Sequence, residues 1–525
     1  MTSSLLRAVR PRRAASRPAA RAARMVLYGA AGLLWLSLSG MTIGSSAAVA
    51  LPRTDPVAVA AAPRQDETSA VSLALPLVVA VAASLVAMYG YIRRLRRSKT
   101  RTTPGGSRTS PSPAPFDDLD ERSRDLLVRA DDWVRTSREE LPFAEARFGT
   151  AAVEPFAQAL RAAEAELAVA FRMRRRHDQG VPEDPEARRQ ALAGVIGRCE
   201  EAGRLLDMAA DGFDELRDLE GDVREALEAA EARFRELTGR ARTAEATLAG
   251  LARRYAPSAT EHVTGYAEQA KDRLMFATTR LNRAHQEADR GKGGQAAGHL
   301  RAAEGAVAQA TVFLDGVERL AAELDEAAAM VPAALSGAEA ERAGAAERLT
   351  DVPAGEAQAR ILHADTVLAS VRQETTSGRP YDPLDVLRRI VEATAPLATG
   401  RTGVLSAAAL LTARSATAAA ADFVTTHRGA VGASARILLA EAERLLATRS
   451  PADVPHADAL AREARDQAEQ DVRAHGNPYA EADTRAPGAA GAALGGILLL
   501  DSSPTATPPS FGGPRTRNRL TIPLD

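Results

Sequence analysis

The sequence predicts an all-α protein: a single transmembrane helix, then an elongated antiparallel helical bundle or coiled-coil region, then a disordered C-terminal tail. Three observations carry this. Ala70–Ile92 is a run of 23 uncharged residues, enough at about 1.5 Å rise per residue to cross a hydrocarbon core of roughly 30 Å. Between about Asp117 and His475 apolar residues recur at helical spacing, with no alternating strand pattern of useful length. Aromatics are 4% of the chain, while Ala, Leu, Glu and Arg dominate, a mixture that favours helices and supplies few large core side chains.

Taken in order, residues 1–50 read as a secretory signal. Seven arginines and no acid lie in residues 1–24, Met25–Gly40 is a short apolar run, and Ala48-Val49-Ala50 is a small-x-small cleavage site. An uncleaved first span is the alternative. Residues 51–69 are a short extracytoplasmic tether, too few to build a domain. The span 70–92 is followed by Arg93, Arg94, Arg96, Arg97, Lys99 and Arg101, the cation excess expected on the cytoplasmic side. This cluster stops transfer and fixes orientation, and each charge near anionic lipid is worth about 1 kcal/mol. The predicted location is therefore the cell membrane, with the large C-terminal part cytoplasmic.

Residues 93–115 are this basic stretch plus a Pro/Gly linker. Residues 116–475 are the helical region, punctuated by Gly180–Pro185, Ala256-Pro257-Ser258, Gly291–Gly294, Val352–Gly355, Gly378–Pro383 and Ser450–Pro455. Asp184 is placed to cap the helix that Pro185 opens. Pro142, Pro155 and Pro332 should kink or restart theirs. Phe156, Leu160, Ala163, Leu167, Ala170 and Phe171 keep one face, as do Leu205, Leu206, Phe213, Leu216 and Leu219. Val424, Val431, Leu438 and Leu445 recur at sevens, as in a coiled-coil seam. Leu281–Ala310 and Leu438–Val472 read as helical hairpins. Residues 476–525 read as a low-complexity, solvated tail. Within it the apolar run Gly488–Leu500 is too short to span a bilayer, and Arg515, Arg517 and Arg519 are too few to argue for lipid.

Charge excludes one class of partner. Residues 1–101 carry +12, leaving −13 on the remainder of a chain whose net charge is −1; an acidic body is the wrong sign for nucleic acid. The lone Cys199 permits neither a disulfide framework nor a thiolate metal site.

Several segments look familiar in order and wording: Phe234-Arg-Glu-Leu-Thr-Gly-Arg, Gln269-Ala-Lys-Asp-Arg-Leu-Met-Phe-Ala-Thr-Thr, Pro380-Tyr-Asp-Pro-Leu-Asp, Asp422-Phe-Val-Thr-Thr-His-Arg-Gly-Ala-Val-Gly and Ala457-Asp-Ala-Leu-Ala-Arg-Glu-Ala. With the apolar run and Arg101-Thr-Thr-Pro-Gly-Gly, they resemble the large TPM domain-containing membrane proteins of high-GC Gram-positive bacteria, from about Ala70 to Tyr479. The resemblance implies a signal, an extracytoplasmic TPM domain, one span and a long cytoplasmic helical region. TPM domains have been linked to phosphatase activity and to metal binding through acidic residues. Here the interval between signal and span is Leu51–Ser69, which cannot hold such a domain, so neither property carries over.

No catalytic pattern stands out in the sequence. No His-Glu-x-x-His, Glu-x-x-His pair, phosphate loop or Gly-x-Ser-x-Gly occurs. Gly291-Lys292-Gly293-Gly294 has the wrong spacing for a phosphate loop and reads as a hairpin turn. His427, in the most family-like segment, reads as a packing or hydrogen-bonding residue. The sequence thus predicts no enzyme, cofactor, metal or small-molecule substrate. It predicts a membrane-anchored helical scaffold or interaction protein that meets protein partners or itself along its seams. An accessory subunit of a membrane-associated hydrolase or TPM-bearing partner is the alternative.

Overall fold

The computed structural model describes residues 115–219, 221–350, 352–397, 403–475 and 510–520, which are helical with no strand among them. The predicted signal, tether and span, the cluster Arg93, Arg94, Arg96, Arg97, Lys99 and Arg101, and residues 476–509 lie outside the described residues.

Three helices open the described chain and pack pairwise: α1 (Phe116–Phe148), α2 (Thr150–Asp178) and α3 (Pro185–Arg217). The α2 stripe Leu160, Ala163, Leu167, Ala170 and Phe171 is buried, as its spacing predicts. Asp184 caps α3 by accepting from the Ala187 amide at 2.8 Å, with Pro185 in the first turn. Pro142, Pro155 and Pro332 restart no helix, because the helices that contain them run on through all three. The chain breaks instead at Gly149, with φ 80°, a left-handed backbone that glycine adopts at no steric cost.

The next helices are α4 (Val223–Arg254), α5 (Tyr266–Asp289) and α6 (Gly293–Ala343). The predicted α5–α6 hairpin forms about Arg290–Lys292. The 51 residues of α6 run about 76 Å at 1.5 Å per residue. Neighbouring pairs such as Ala302/Ala303, Ala306/Val307 and Phe313/Leu314 are both buried, so α6 is covered on more than one face. It is the spine against which α4, α5, α7 (Ala354–Thr376), α8 (Pro383–Thr394) and α9 (Gly403–Thr426) pack.

A second predicted hairpin follows, α10 (Ala433–Ala447) with α11 (Val454–His475). Val424, Val431, Leu438 and Leu445 are buried in one cluster, but they do not form a single seam. The helix ends at Thr426 and restarts at Ala433, so the sevenfold spacing crosses a turn, and the four meet because the chain folds back. Among the described residues, α9 is long and apolar enough to cross a membrane. Half of its apolar window is buried against α6, α8 and α11, as in the core helix of a bundle.

The tail expectation also needs correcting where it is described. Ser510–Gly513 is buried and leads into α12 (Pro514–Leu520), which packs on α3.

Candidate functional site

The groove that receives this segment lies between α1 and α3. Phe511 is fully buried, stacked on Phe213 at 4.6 Å between ring centroids and meeting Phe156 edge-on at 6.2 Å. Beyond it the backbone turns into α12, and Asp207 of α3 receives the free amides at that helix's start. Its carboxylate accepts from the amides of Gly513 (2.9 Å), Arg515 (3.0 Å) and Thr516 (3.0 Å) and from the Thr516 hydroxyl (2.8 Å). This is the task of an N-cap residue, performed by a side chain about 300 positions away in sequence. Ser137 of α1 accepts from the Gly512 amide at 3.2 Å.

Approach this close requires two glycines. A Cβ on Gly513 would run into the backbone carbonyl oxygen of Gly203, and one on Gly203 would meet Pro514 Cδ at 2.6 Å and the Trp133 ring at 2.8 Å. At the other end, Ser510 lies 3.4 Å from Asp214 and 3.5 Å from Glu140, and the Phe511 amide donates to Glu140. Glu140 also meets Arg217 at 3.3 Å, and Arg217 meets Glu304 of α6 at 2.6 Å. Burial holds the Glu140 carboxyl above its ordinary range, against the pull of Arg217 and Arg301 and with the charge of Glu304 adding to the rise.

The magnitudes nearly cancel. Burying Phe511 contributes about 3 kcal/mol and its ring contacts about 1; with charge-assisted hydrogen bonds at about 2 each, the favourable side reaches about 12 kcal/mol. Ordering the backbone of eight residues costs about 8–16 kcal/mol at about 1–2 each. The two sides are of the same order.

The family-like segment Asp422–Gly432 is a clamp rather than a reactive site. Arg135 of α1 donates to Thr425 at 2.8 Å, and Arg428 grips Glu139 through two bonds of 2.6 and 3.0 Å. Just beyond, Arg436 is 1% exposed and reaches Asp131 at 2.6 Å and Asp132 at 2.7 Å. Burial pushes the Asp131 pKa up, and Arg135 and Arg436 more than reverse this, leaving it below its ordinary value. His427 is buried and stacked on Phe423 at 4.2 Å, with Nδ1 3.2 Å from the Phe423 carbonyl oxygen. Burial, with the charges of Arg273 and Arg465, pushes its pKa down to about 4. It is a neutral ring in a packed setting, the role its sequence context predicts.

A cleft of about 480 Å³ between α1, α2, α9 and α10 mixes Arg135, Arg138 and Arg444 with Glu164, Glu441 and Glu443, so its charge selects no ligand class. Among the described residues no group of three or more His, Cys, Asp or Glu is placed to hold a metal ion. Cys199 is buried, and burial together with Glu200 pushes its thiol up to about 12, away from thiolate chemistry.

Sequence reasoning missed Asp207, Phe511 and Gly513. The signal was present in Phe511-Gly512-Gly513-Pro514, an aromatic anchor, two glycines and a proline suited to a first helical turn, but the surrounding Pro-rich composition masked it.

The described chain is thus an all-helical protein with a groove that holds a segment of polypeptide. Over most of its length it is homologous to two proteins of Mycobacterium tuberculosis, UPF0603 protein MT2410 (strain CDC 1551 / Oshkosh) and UPF0603 protein Rv2345 (strain ATCC 25618 / H37Rv), each 30% identical over 432 residues that cover 76% of this chain. The chain spans 65% of the length of these relatives. No family model and no solved structure matches it.

Proposed function

We propose that the chain is a membrane-anchored helical interaction protein, resembling TPM domain-containing proteins outside the TPM domain itself, without a catalytic centre of its own. In this reading residues 70–92 cross the cell membrane once, and Arg93, Arg94, Arg96, Arg97, Lys99 and Arg101 keep the helical body in the cytoplasm. The observation that carries it is the α1–α3 groove, which grips an extended stretch of polypeptide largely by backbone amides. A surface of this kind recognises protein. The acidic body and the ion pairs spent on tying α1 to the Asp422–Arg436 region support the same reading.

The test is purification of the tagged chain from detergent-solubilised native membranes, with identification of what accompanies it. Recovery of a protein partner in constant proportion supports the proposal, and a stoichiometric hydrolase or TPM-bearing protein would make the chain its accessory subunit. A chain that is found in the soluble fraction, or that emerges alone and turns over a phosphate ester, overturns it. Protease added to intact protoplasts should leave the helical body undigested.

A further inference from the structure

The groove meets its occupant through features that do not depend on the covalent link between them. Four backbone amides, those of Gly512, Gly513, Arg515 and Thr516, donate to Ser137 and Asp207. Selectivity sits at a few positions: the slot beside Phe213 takes an aromatic ring, the Gly203 backbone admits nothing larger than glycine at 513, and the Thr516 hydroxyl shares the Asp207 carboxylate. The Arg515 side chain is exposed and adds no constraint. Together these define a ligand class: an extended peptide that turns into a short helix, with the sequence Ser-Phe-Gly-Gly-Pro-x-Thr.

The connection to the rest of the chain is long. Thirty-four residues separate His475 from Ser510, a reach of up to about 110 Å when extended. None of the contacts obliges each copy to fill its own groove. Exchange of an identical element between copies costs little when the contacts are the same in both arrangements. The near-balance of docking contacts against ordering cost makes such an exchange accessible.

We propose that the α1–α3 groove is a recognition site for Ser-Phe-Gly-Gly-Pro-x-Thr segments, filled by the chain's own Ser510–Arg517 and able to take the same segment from a second copy. This rests on the interaction-protein reading and names the chemistry of one partner. The test uses the full chain in detergent and a fluorescent peptide, Pro-Ser-Phe-Gly-Gly-Pro-Arg-Thr-Arg-Asn. Gly513→Val prevents the chain's own segment from seating, so the peptide should bind this variant at least tenfold more tightly than the wild type. Adding Asp207→Ala to it should abolish that gain. A mixture of Gly513→Val chains, whose groove is open, with Asp207→Ala chains, whose segment is intact, should sediment as a complex that neither forms alone. Phe511→Ser serves as a second opened form.

No peptide binding by Gly513→Val and Phe511→Ser chains that keep wild-type helicity and cooperative melting overturns the proposal, as does binding insensitive to Asp207→Ala. Unfolding of both variants would make the segment a permanent part of the core and overturn it too. Peptide binding without association in the mixture removes the second-copy claim. Because none of these readouts involves native membranes, their failure is separate from failure of the co-purification above.

Discussion

The guanidinium of Arg436 lies 2.6 Å from the carboxylate of Asp131, although 305 positions separate them in the chain. Arg436 also donates to Asp132 at 2.7 Å and to the carbonyl oxygens of Arg428 at 2.6 Å and Val431 at 3.2 Å. This one side chain ties α1, the turn after α9 and the start of α10 together.

Replacing it should be costly. Arg436→Ala leaves buried Asp131 with Arg135 alone and strips Asp132 and two backbone carbonyls of this donor; breaking a buried pair from one side costs about 3–5 kcal/mol. Urea denaturation of the variant should give a loss of that size. Adding Asp131→Asn should restore part of it. A loss below 1 kcal/mol would mean the clamp does not support the fold.

A smaller effect is expected at the start of α3. Asp184→Ala removes the acceptor for the Ala187 amide and should lower stability by about 1 kcal/mol. Asp184→Asn should recover most of this. Equal losses in the two variants would show that the cap bond is not the cause.

The buried His427 makes a prediction about acid. Its pKa is pushed down to about 4 in the folded chain against about 6.5 when unfolded, so the unfolded chain binds the extra proton between these values. The stability this provides is complete above pH 6.5 and is lost as pH falls toward 4, by about 3 kcal/mol. His262 is pushed down to about 4 as well, by burial first and then by Arg465, Arg319 and Arg388, and adds a slope of the same sign. His427→Gln should flatten the stability profile over this window, leaving the His262 contribution. An unchanged profile would count against the buried neutral ring.

Arg273 makes the opposite kind of prediction. It is fully buried, its Nε is 3.3 Å from Gln309 and its guanidinium lies 5.0 Å from the Phe313 ring, but neither terminal nitrogen has a hydrogen-bond partner among the described residues. Burial pushes its pKa down to about 10, the signature of a poorly compensated cation. Arg273→Met keeps the bulk and removes that cost, so its melting temperature should equal or exceed the wild type. A loss above 2 kcal/mol would point to an anionic partner for this guanidinium.

Much of the helical body was legible because its signals are local. Leu160 and Phe171 fall on one stripe, Asp184 precedes Pro185, and Gly291–Gly294 leaves α5 no way to continue. Each of these is set within a few residues, where spacing and turn chemistry act. What sequence could not supply was long-range pairing. Nothing near Asp207 announces that it caps a helix beginning at Pro514, since a carboxylate on a helix face reads the same whether it meets water or a distant amide. Val424 and Val431 mislead for the same reason: a spacing of seven is kept across the turn at His427–Gly432, where neighbours in space are not neighbours on one helix. The grip of Arg428 and Arg436 on α1, and of Arg135 on Thr425, was equally invisible, although the segment bearing Arg428 was singled out by its wording.

That grip has a consequence for synthesis. On the ribosome α1 emerges early, with Asp131 met by Arg135 one turn along the same helix, while the arginines that pair Asp132 and Glu139 are encoded roughly 300 codons later. At about 5–20 residues per second, the nascent helix waits on the order of 15–60 s with Asp132 and Glu139 unmatched. Closure of this region onto α1 therefore comes late in synthesis, and a transcript truncated before Arg428 would leave α1 without its anchor.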